Sequence, residues 1–176
     1  MPTTSSKAAG HAKTATRAAA KGLAGTRLLE RDHREVEGRF KAFKAAKDDS
    51  RKQAIADEIC KALKVHAQIE EEILYPAARE AMTDKQEDLV DEAVVEHASA
   101  KDLIAEIEAM QAGDDLFDAK VTVLGEMIDH HVGEEESEMF PLLRKKGDFD
   151  DEAVGERLKV RKAQLMAKPG GLRPLQ

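Results

Sequence analysis

The chain contains one short stretch twice, first as His66-Ala67-Gln68-Ile69-Glu70-Glu71 and then as His131-Val132-Gly133-Glu134-Glu135-Glu136. Each copy is followed by an aromatic residue and a proline, Tyr75-Pro76 in the first and Phe140-Pro141 in the second. The two copies are offset by 65 residues. The recurring feature is therefore a His-x-x-x-Glu step that precedes an aromatic-proline pair.

A second pair of residues repeats with nearly the same offset. Asp32-His33 precedes the first copy, and Glu96-His97 precedes the second, 64 residues later. The chain is thus built from two related halves, each with one acidic-His pair and one His-x-x-x-Glu step. Because the shared residues are imidazoles and carboxylates, and not only apolar core residues, the repeat indicates a metal site.

Apolar residues and the repeated histidines follow helical spacing in four segments. The first two stripes are Leu29, His33, Val36, Phe40 and Phe43, then Ile55, Ile59, Ala62, His66, Ile69, Glu70 and Ile73. The other two are Val90, Ala93, Val94, His97, Ala100, Ile104 and Ile107, then Phe117, Leu124, Ile128, His131, Glu135, Met139 and Leu142. Four such helices with short connections predict an all-α fold, an up-down-up-down four-helix bundle.

The predicted bundle spans residues 26–147. Thr26 is its expected N-cap, Asp114 or Asp115 caps the fourth helix, and Pro76 kinks or ends the second helix. Residues 1–25 are expected to form a disordered N-terminal leader, rich in Ala, Thr, Ser, Gly and Lys. Residues 148–176 are expected to form a short extra helix, from about 150 to 166, and a frayed C-terminal tail.

Composition restricts the class of protein. The chain has 176 residues, of which 41% are hydrophobic and 36% charged, as in a helical protein with charged outer faces. No apolar run approaches the roughly 20 residues of a membrane span. The first residues do not form a hydrophobic signal peptide, and Cys60 is the one cysteine, so the expected location is cytoplasmic.

Charge is distributed unevenly along the chain. The net charge is −7, but residues 1–25 carry +4, which leaves −11 for the rest of the chain. An acidic body argues against a general nucleic-acid-binding protein. No nucleic-acid partner and no membrane partner are expected, and only a weak contact with nucleic acid through the basic leader stays open.

The spacing allows the repeated residues to converge on one centre. His66 and Glu70 are four residues apart on one helix, as are His131 and Glu135, so each pair can face the same point. His33 and His97 approach from the other two helices. This set suits two ions, with the two glutamates as bridges, because buried glutamates without a cation would be costly. Mixed nitrogen and oxygen ligands favour iron or manganese over structural zinc, and zinc also stays open.

Other polar residues near these positions are weaker candidates for metal ligands. Glu37 lies four residues after His33, but Lys101 takes its place in the repeat, so we expect a surface or outer contact. His130 points about 100° away from His131 and should be exposed or in an outer contact. Tyr75 should pack beside Pro76, since it starts on the far side of its helix, although a redox role next to the metals also stays open. Surface or outer contacts are also expected for Glu71, Glu72, Glu136 and Glu138, and no chemistry is expected for His11 or Cys60.

Together, these motifs resemble the hemerythrin-like, or HHE cation-binding, domain over about residues 26–146. The resemblance implies a four-helix bundle around a non-heme di-iron centre. It also implies six iron ligands: His33, His66, Glu70, His97, His131 and Glu135. Oxygen-carrying hemerythrins have a second histidine on the third helix, four residues from the first. Here Ala93 and Lys101 occupy those positions, so the sequence resembles instead the branch linked to iron sensing, nitric oxide response and peroxide handling.

The functional prediction is a di-iron protein that binds or reacts with oxygen, nitric oxide or peroxide, with peroxide detoxification as one form of that activity. The alternative is a sensor of iron, oxygen or nitric oxide without turnover, or an iron-storage module. The residues alone do not distinguish the sensor or the iron-storage module from a protein that reacts with its ligand.

Overall fold

The computed structural model describes residues 23–167, and every regular element in that range is helical. This confirms the predicted all-α class. The predictions for residues 1–22, including His11, and for residues 168–176 lie outside the described residues. None of the described helices is both long and apolar enough to cross a membrane.

Four long helices dominate the structure, and short helical segments extend two of them. In chain order the elements are α1 Gly25–Ala45, α2 Asp49–Ile69, the π-helical segment π1 Glu70–Leu74, α3 Tyr75–Ala81, α4 Asp84–Glu108, α5 Phe117–Glu134, the π-helical segment π2 Glu135–Met139, α6 Phe140–Leu143 and α7 Asp151–Met166. Helix α1 packs against α2 and α5, and α4 packs against the same two helices. Each long helix therefore shares its buried face with two neighbours.

Two of the helix starts follow the capping residues of the sequence. Asp48 caps α2, because its carboxylate accepts a hydrogen bond from the backbone N–H of Arg51 at 2.9 Å. Thr83 and Gln86 form a reciprocal capping box at the start of α4. These local side-chain bonds satisfy backbone donors that the first helical turn leaves free.

The caps that were predicted from the sequence at Thr26 and at Asp114 or Asp115 are wrong. Thr26 lies inside α1, fully buried, and its N–H and hydroxyl both donate to the carboxylate of Asp151, at 2.9 and 2.7 Å. Helix α5 is preceded by Leu116 in the left-handed conformation, with φ 69°, and not by a capping aspartate. In both cases a contact outside the local sequence, or the geometry of the preceding loop, determines where the helix begins.

The chain passes Pro76 and Pro141 without breaking its helical path. Each proline lies in the first turn of the helix that follows a π-helical segment. There the N–H of Tyr75 donates to the carbonyl of Glu70, and that of Phe140 to the carbonyl of Glu135, five residues back. The wide turn changes the helical register just before the residue that lacks an N–H. The predicted kink or end at Pro76 is therefore a π-helical turn.

Two hydrophobic clusters fill the interior, one on each side of the repeated histidines. On α1, His33 lies between Leu29 of the first cluster and Val36 of the second. On α4, His97 lies in the same way between Ala93 and Ala100. The polar residues thus form a layer between two apolar ones.

Helix α7 packs along α1, α2 and π1, close to where the sequence predicted an extra helix. Gly155 is needed for this approach, because a Cβ atom there would meet the carbonyl oxygen of Leu23 at 2.2 Å. The bonds from Thr26 to Asp151 tie the start of α7 to the start of α1. Helix α7 is therefore part of the packed structure beside the first half of the repeat.

Candidate metal centre

All six residues singled out by the repeat lie together in the interior. They are His33 on α1, His66 on α2, Glu70 on π1, His97 on α4, His131 on α5 and Glu135 on π2. None of them is more than 9% exposed. Groups of this polarity are rarely buried without partners, so the arrangement points to a binding site.

The first group of potential ligand atoms comes from both halves of the chain. Nε2 of His33 lies 3.0 Å from Nε2 of His66 and 3.4 Å from Oε2 of Glu135. Nε2 of His66 lies 3.1 Å from Oε1 of Glu70. Each of these four residues offers one ligand atom, and all four atoms lie within 4.8 Å of one another.

The second group lies on the other side of the two glutamates. Nε2 of His97 lies 3.1 Å from Nε2 of His131 and 3.5 Å from Oε2 of Glu70. Nε2 of His131 lies 3.6 Å from Oε2 of Glu135. Both carboxylates therefore contact a histidine of each group, so they lie between the two groups.

Three histidines are oriented by a carboxylate at the opposite ring nitrogen. Nδ1 of His33 donates to Glu136 at 2.8 Å, Nδ1 of His97 to Glu71 at 3.0 Å, and Nδ1 of His131 to Glu96 at 2.8 Å. A proton on Nδ1 leaves the Nε2 lone pair free to face the centre, as is usual for metal-binding histidines.

The fourth histidine has the same kind of neighbour at a longer distance. Nδ1 of His66 lies 3.9 Å from Oδ2 of Asp32. Burial by itself raises the pKa of Asp32, but the interactions with His66 and Lys162 hold it below its usual value. Asp32 is therefore an ionised carboxylate beside the first group of ligand atoms.

The four carboxylates connect the halves of the repeat in two ways. Glu71 and Glu136 each follow a central glutamate and contact a histidine of the other half, His97 and His33. Asp32 and Glu96 each precede a histidine and face the histidine of the His-x-x-x-Glu step in their own half. The repeat in the sequence is thus matched by a repeat in the contacts.

On the outside, cations pair with three of these carboxylates, and an exposed histidine lies near the fourth. Lys162 donates to Asp32 at 2.6 Å, Lys101 donates to both oxygens of Glu71 at 2.6 Å, and Arg34 bonds Glu136. His130, whose side chain is 66% exposed, lies 3.4 Å from Glu96. Burial raises the pKa of Glu71, but the bonds from His97 and Lys101 hold it below its usual value.

The same contacts determine which side chains of the centre carry a proton. Burial lowers the pKa of His66, but the carboxylate of Glu70 and the neighbouring Asp32 raise it to about 10. Burial raises the pKa of Glu135, but His33 and His131 lower it to about 2. In the metal-free protein His66 therefore holds a positive charge and Glu135 a negative one. A metal ion that binds Nε2 of His66 must displace a proton.

Tyr75 is the main correction to the sequence-based site. Its hydroxyl donates to Oε1 of Glu135 at 3.2 Å and lies 3.3 Å from Nε2 of His97. Counting nine residues from His66 at 100° each placed it on the far side of the helix, and that was wrong. Segment π1 has an extra residue in its turn, which rotates Tyr75 by roughly a quarter turn toward the centre.

The remaining candidates lie outside the centre. Glu37 bonds Lys41 at 2.5 Å and Arg34 at 3.3 Å on the surface of α1. Cys60 is buried in the second hydrophobic cluster. Lys162 on α7 was not predicted from the sequence to contact the site, since nothing in the local pattern of that helix indicates which carboxylate it meets.

The donor set fits a pair of cations. Both oxygens of Glu70 and Oε2 of Glu135 are buried without a hydrogen-bond partner among the described residues. Such atoms are rare in folded proteins, because leaving them unpaired costs free energy. Four Nε2 atoms face the same space, and neutral imidazole and ionised carboxylate are both metal ligands. The residues present thus supply what two cations require.

The comparison with protein families agrees with this geometry. The family model described as the hemerythrin HHE cation-binding domain matches residues 24–143. The chain therefore belongs to the hemerythrin HHE cation-binding family. All six central residues lie within the match, whereas helix α7 lies beyond it.

Two individual proteins are similar to this chain. One is a DNA nickase from Nostoc sp. (strain PCC 7120 / SAG 25.82 / UTEX 2576), 29% identical over 147 residues, which cover 82% of this chain and 40% of that protein. The chain thus spans about two fifths of that relative's length. The other is the crystal structure of a hemerythrin HHE cation-binding domain-containing protein from Mycobacterium kansasii. It superimposes with a TM-score of 0.68 at 21% identity, over 81% of this chain and 86% of that one, which supports the fold.

Proposed function

We propose that this protein holds two non-heme iron ions between its long helices and uses them to bind, or react with, a small diatomic or peroxide ligand. The iron ligands are His33, His66, Glu70, His97, His131 and Glu135. The observation that carries the proposal is the set of buried oxygens of Glu70 and Glu135 that lack a hydrogen-bond partner among the described residues and face four imidazole Nε2 atoms. Two cations would satisfy every one of these atoms.

The distances support one ion for each pair of histidines. His33 and His66 would hold the first and His97 and His131 the second, and the carboxylates of Glu70 and Glu135 lie between the two pairs of histidines. Nitrogen and oxygen donors without cysteine favour iron or manganese over structural zinc. When bound, a pair of iron ions supplies two one-electron redox changes at adjacent positions.

The chain's own groups prepare this centre for a ligand. Four carboxylates face the outer ring nitrogens of the histidines and set the orientation of the rings: Asp32, Glu71, Glu96 and Glu136. Burial raises the pKa of Tyr75 well above its usual value, and the charge of Glu135 adds to the effect. Tyr75 thus keeps a proton beside the centre, where a peroxide or its reduced product needs a hydrogen-bond donor.

A sensor without turnover is the second candidate, and one contact favours it. Lys162 links helix α7 to Asp32, and Asp32 faces His66. A change of charge at the centre would alter this bond and so the packing of α7. The DNA-nicking activity in the name of the Nostoc relative is not part of the proposal, because residues 26–176 carry −11 and would repel a phosphate backbone.

We also infer that the four long helices run up-down-up-down. Helices α1 and α2 are joined by a connection of three residues, and α1 to α2 and α4 to α5 are the most extensive of the helix pairs. Short connections favour antiparallel neighbours. This order brings all four histidines to the same level between the two hydrophobic clusters.

Metal analysis of the purified full chain tests the proposal. We expect two iron ions per chain, and an absorption band in the near ultraviolet that His66→Ala removes or weakens. Peroxide consumption well above that of the same amount of free iron would support detoxification. Spectral changes with oxygen, nitric oxide or peroxide but no consumption would support the sensor. A chain that retains no redox metal after aerobic loading would overturn both.

A further inference from the structure

A chamber of about 250 Å³ connects the four histidines with the surface. Its inner end is formed by His33, His66, His97 and His131. Its outer end lies between α1, α2 and the last turn of α7, where Lys162 and Met166 line the opening. The chamber therefore provides a route from solvent to the proposed metal centre, past a helix that the family match does not include.

The walls of this chamber are apolar. Five buried members of the second hydrophobic cluster line it: Val36, Leu63, Ala100, Ile104 and Ile128. Apolar walls favour an apolar ligand body, because burial removes its surface from water.

The two halves of the repeat differ at one position that lines the chamber, and the difference widens it. Val36 lies three residues after His33, and the corresponding residue, three after His97, is Ala100. Both side chains face the chamber, so the smaller alanine leaves space that a second valine would occupy. The room is therefore greater on the side of α4.

The opening carries no marked excess of charge. Arg39 lies 3.6 Å from Glu58, and Lys162 bonds Asp32. Lys61 and Glu35, of opposite sign, also line the chamber, and the third lysine, Lys101, is paired with Glu71. This balance does not favour an anion or a cation over an uncharged molecule.

The volume exceeds the need of a diatomic ligand. A dry, apolar cavity of about 150 Å³ is enough to bind benzene, so this chamber has room for roughly ten non-hydrogen atoms. A ligand of that size would fill the apolar part with its body and place one polar end among the histidines.

We propose that the chamber binds a small, uncharged organic hydroperoxide, with the alkyl or aryl body against Val36, Leu63 and Ala100 and the oxygen end at the histidines. This inference rests on the proposed function, since it names the class of peroxide that reaches the same centre. The alcohol of the same carbon skeleton has the same body and one hydroxyl. It therefore tests binding without any redox step.

The experiment uses the iron-loaded full chain and the alcohol 2-phenyl-2-propanol as the probe. We expect a saturable broadening of its proton resonances, caused by nearby iron, and displacement of the probe by azide. Ala100→Leu should weaken binding of the alcohol by roughly tenfold or more, since the larger side chain takes space that the alcohol needs. Azide, which is small, should bind this variant within about twofold of the unaltered protein. Ala100→Val, which gives position 100 the same side chain as Val36 in the other half of the repeat, should have an intermediate effect.

The matched control is Ala105→Leu, the same change at an exposed residue of the same helix. Ala62→Leu narrows the chamber from α2 and serves if Ala100→Leu does not fold. The inference is overturned if the alcohol shows no saturable effect while azide still perturbs the iron spectrum, or if neither chamber variant weakens alcohol binding. Failure to retain iron would instead refute the proposed function, and the two failures are thus distinguishable.

Discussion

The hydroxyl of Tyr75 donates a hydrogen bond of 3.2 Å to Oε1 of Glu135, which joins the aromatic residue of one half to the central glutamate of the other. The corresponding residue in the second half is Phe140, whose ring stacks on His33 with a centroid distance of 6.0 Å. One side of the centre therefore meets a phenol and the other a phenyl ring. The two proposed iron ions lie in unequal surroundings, although the sequence repeat is nearly symmetric.

Replacing Tyr75 by phenylalanine should remove the donor to Glu135 and leave the ring in place. We expect iron content to stay at the level of the unaltered protein, because no proposed ligand is lost. The free energy of unfolding should fall by about 1 kcal/mol, the usual contribution of one buried hydrogen bond. Chemical denaturation and iron analysis measure the two quantities.

The reverse change, Phe140→Tyr, is the matched control for Tyr75→Phe. It adds a hydroxyl to the ring that stacks on His33, on the side of the centre opposite Tyr75. An equal effect of the two changes on the near-ultraviolet spectrum would contradict a specific role for the bond between Tyr75 and Glu135.

Lys162→Met should weaken metal binding although the residue touches no proposed ligand. Its ammonium group bonds Asp32, which is 8% exposed and faces His66. Loss of groups in such outer contacts costs about 10- to 100-fold in metal affinity, and we expect the lower end for Lys162 because it acts through Asp32. Titration with Co²⁺, followed by its visible absorption, measures the affinity.

Lys159→Met is the control for Lys162→Met. Lys159 lies one turn away on α7 and pairs at 3.8 Å with Glu156 on its own helix. We expect no change in Co²⁺ affinity for this variant. Equal losses in both variants would mean that general charge, and not the bond to Asp32, is responsible.

Glu71→Gln should reduce metal affinity more than Lys162→Met. Glu71 accepts the Nδ1–H of His97 directly, so the substitution removes the charge that orients the ring and makes Nε2 a stronger donor. We expect a loss of about 10- to 100-fold in Co²⁺ affinity. The neighbouring Glu72 bonds Arg161 on α7, and Glu72→Gln should leave the affinity almost unchanged.

The bond network of Glu71 also predicts a dependence on pH. Its pKa is lowered in the folded protein, so its contribution to stability is present above its usual value of about 4.5 and is lost as the pH falls through the lowered value. The stability of the metal-free protein should therefore fall less steeply in acid for Glu71→Gln than for the unaltered chain. Denaturation at pH 7 and at pH values near 4 measures the difference.

Cys60 should be inert toward thiol reagents in the folded protein. Burial raises its pKa to about 12, and the charge of Glu108 adds to the effect, so almost no thiolate exists at pH 8. We expect negligible labelling by a disulfide reagent at pH 8 and rapid labelling in denaturant. Fast labelling of the native protein would show that α2 opens locally.

The raised pKa of Cys60 also predicts how the stability of the protein changes at alkaline pH. The thiol has a higher pKa folded than unfolded, where about 8.5 is usual. Its contribution to stability is thus complete below about pH 8.5 and is lost progressively as the pH rises toward 12. Cys60→Ala should remove this alkaline dependence, and it should lower stability near neutral pH because it leaves a small cavity.

Much of the fold and the membership of the centre could be predicted from the sequence. Helical spacing is local, so the residues that share a face with His33 or His66 follow from the order of the residues alone. The repeat then indicated which polar residues share a centre, because independent histidines and glutamates would not recur at offsets of 64 and 65 residues.

The tertiary structure decided what depends on register and on contacts between distant segments. Tyr75 reaches Glu135 because a π-helical turn rotates it, and an assumed 100° per residue misses that rotation. Lys162 meets Asp32, 130 residues away, only through the packing of α7 on α1 and α2. Sequence by itself determined which side chains lie on one face of an α-helix, since every α-helix has nearly the same backbone geometry. Which partner each side chain meets was decided by tertiary packing, since that depends on how helices far apart in the chain fit together.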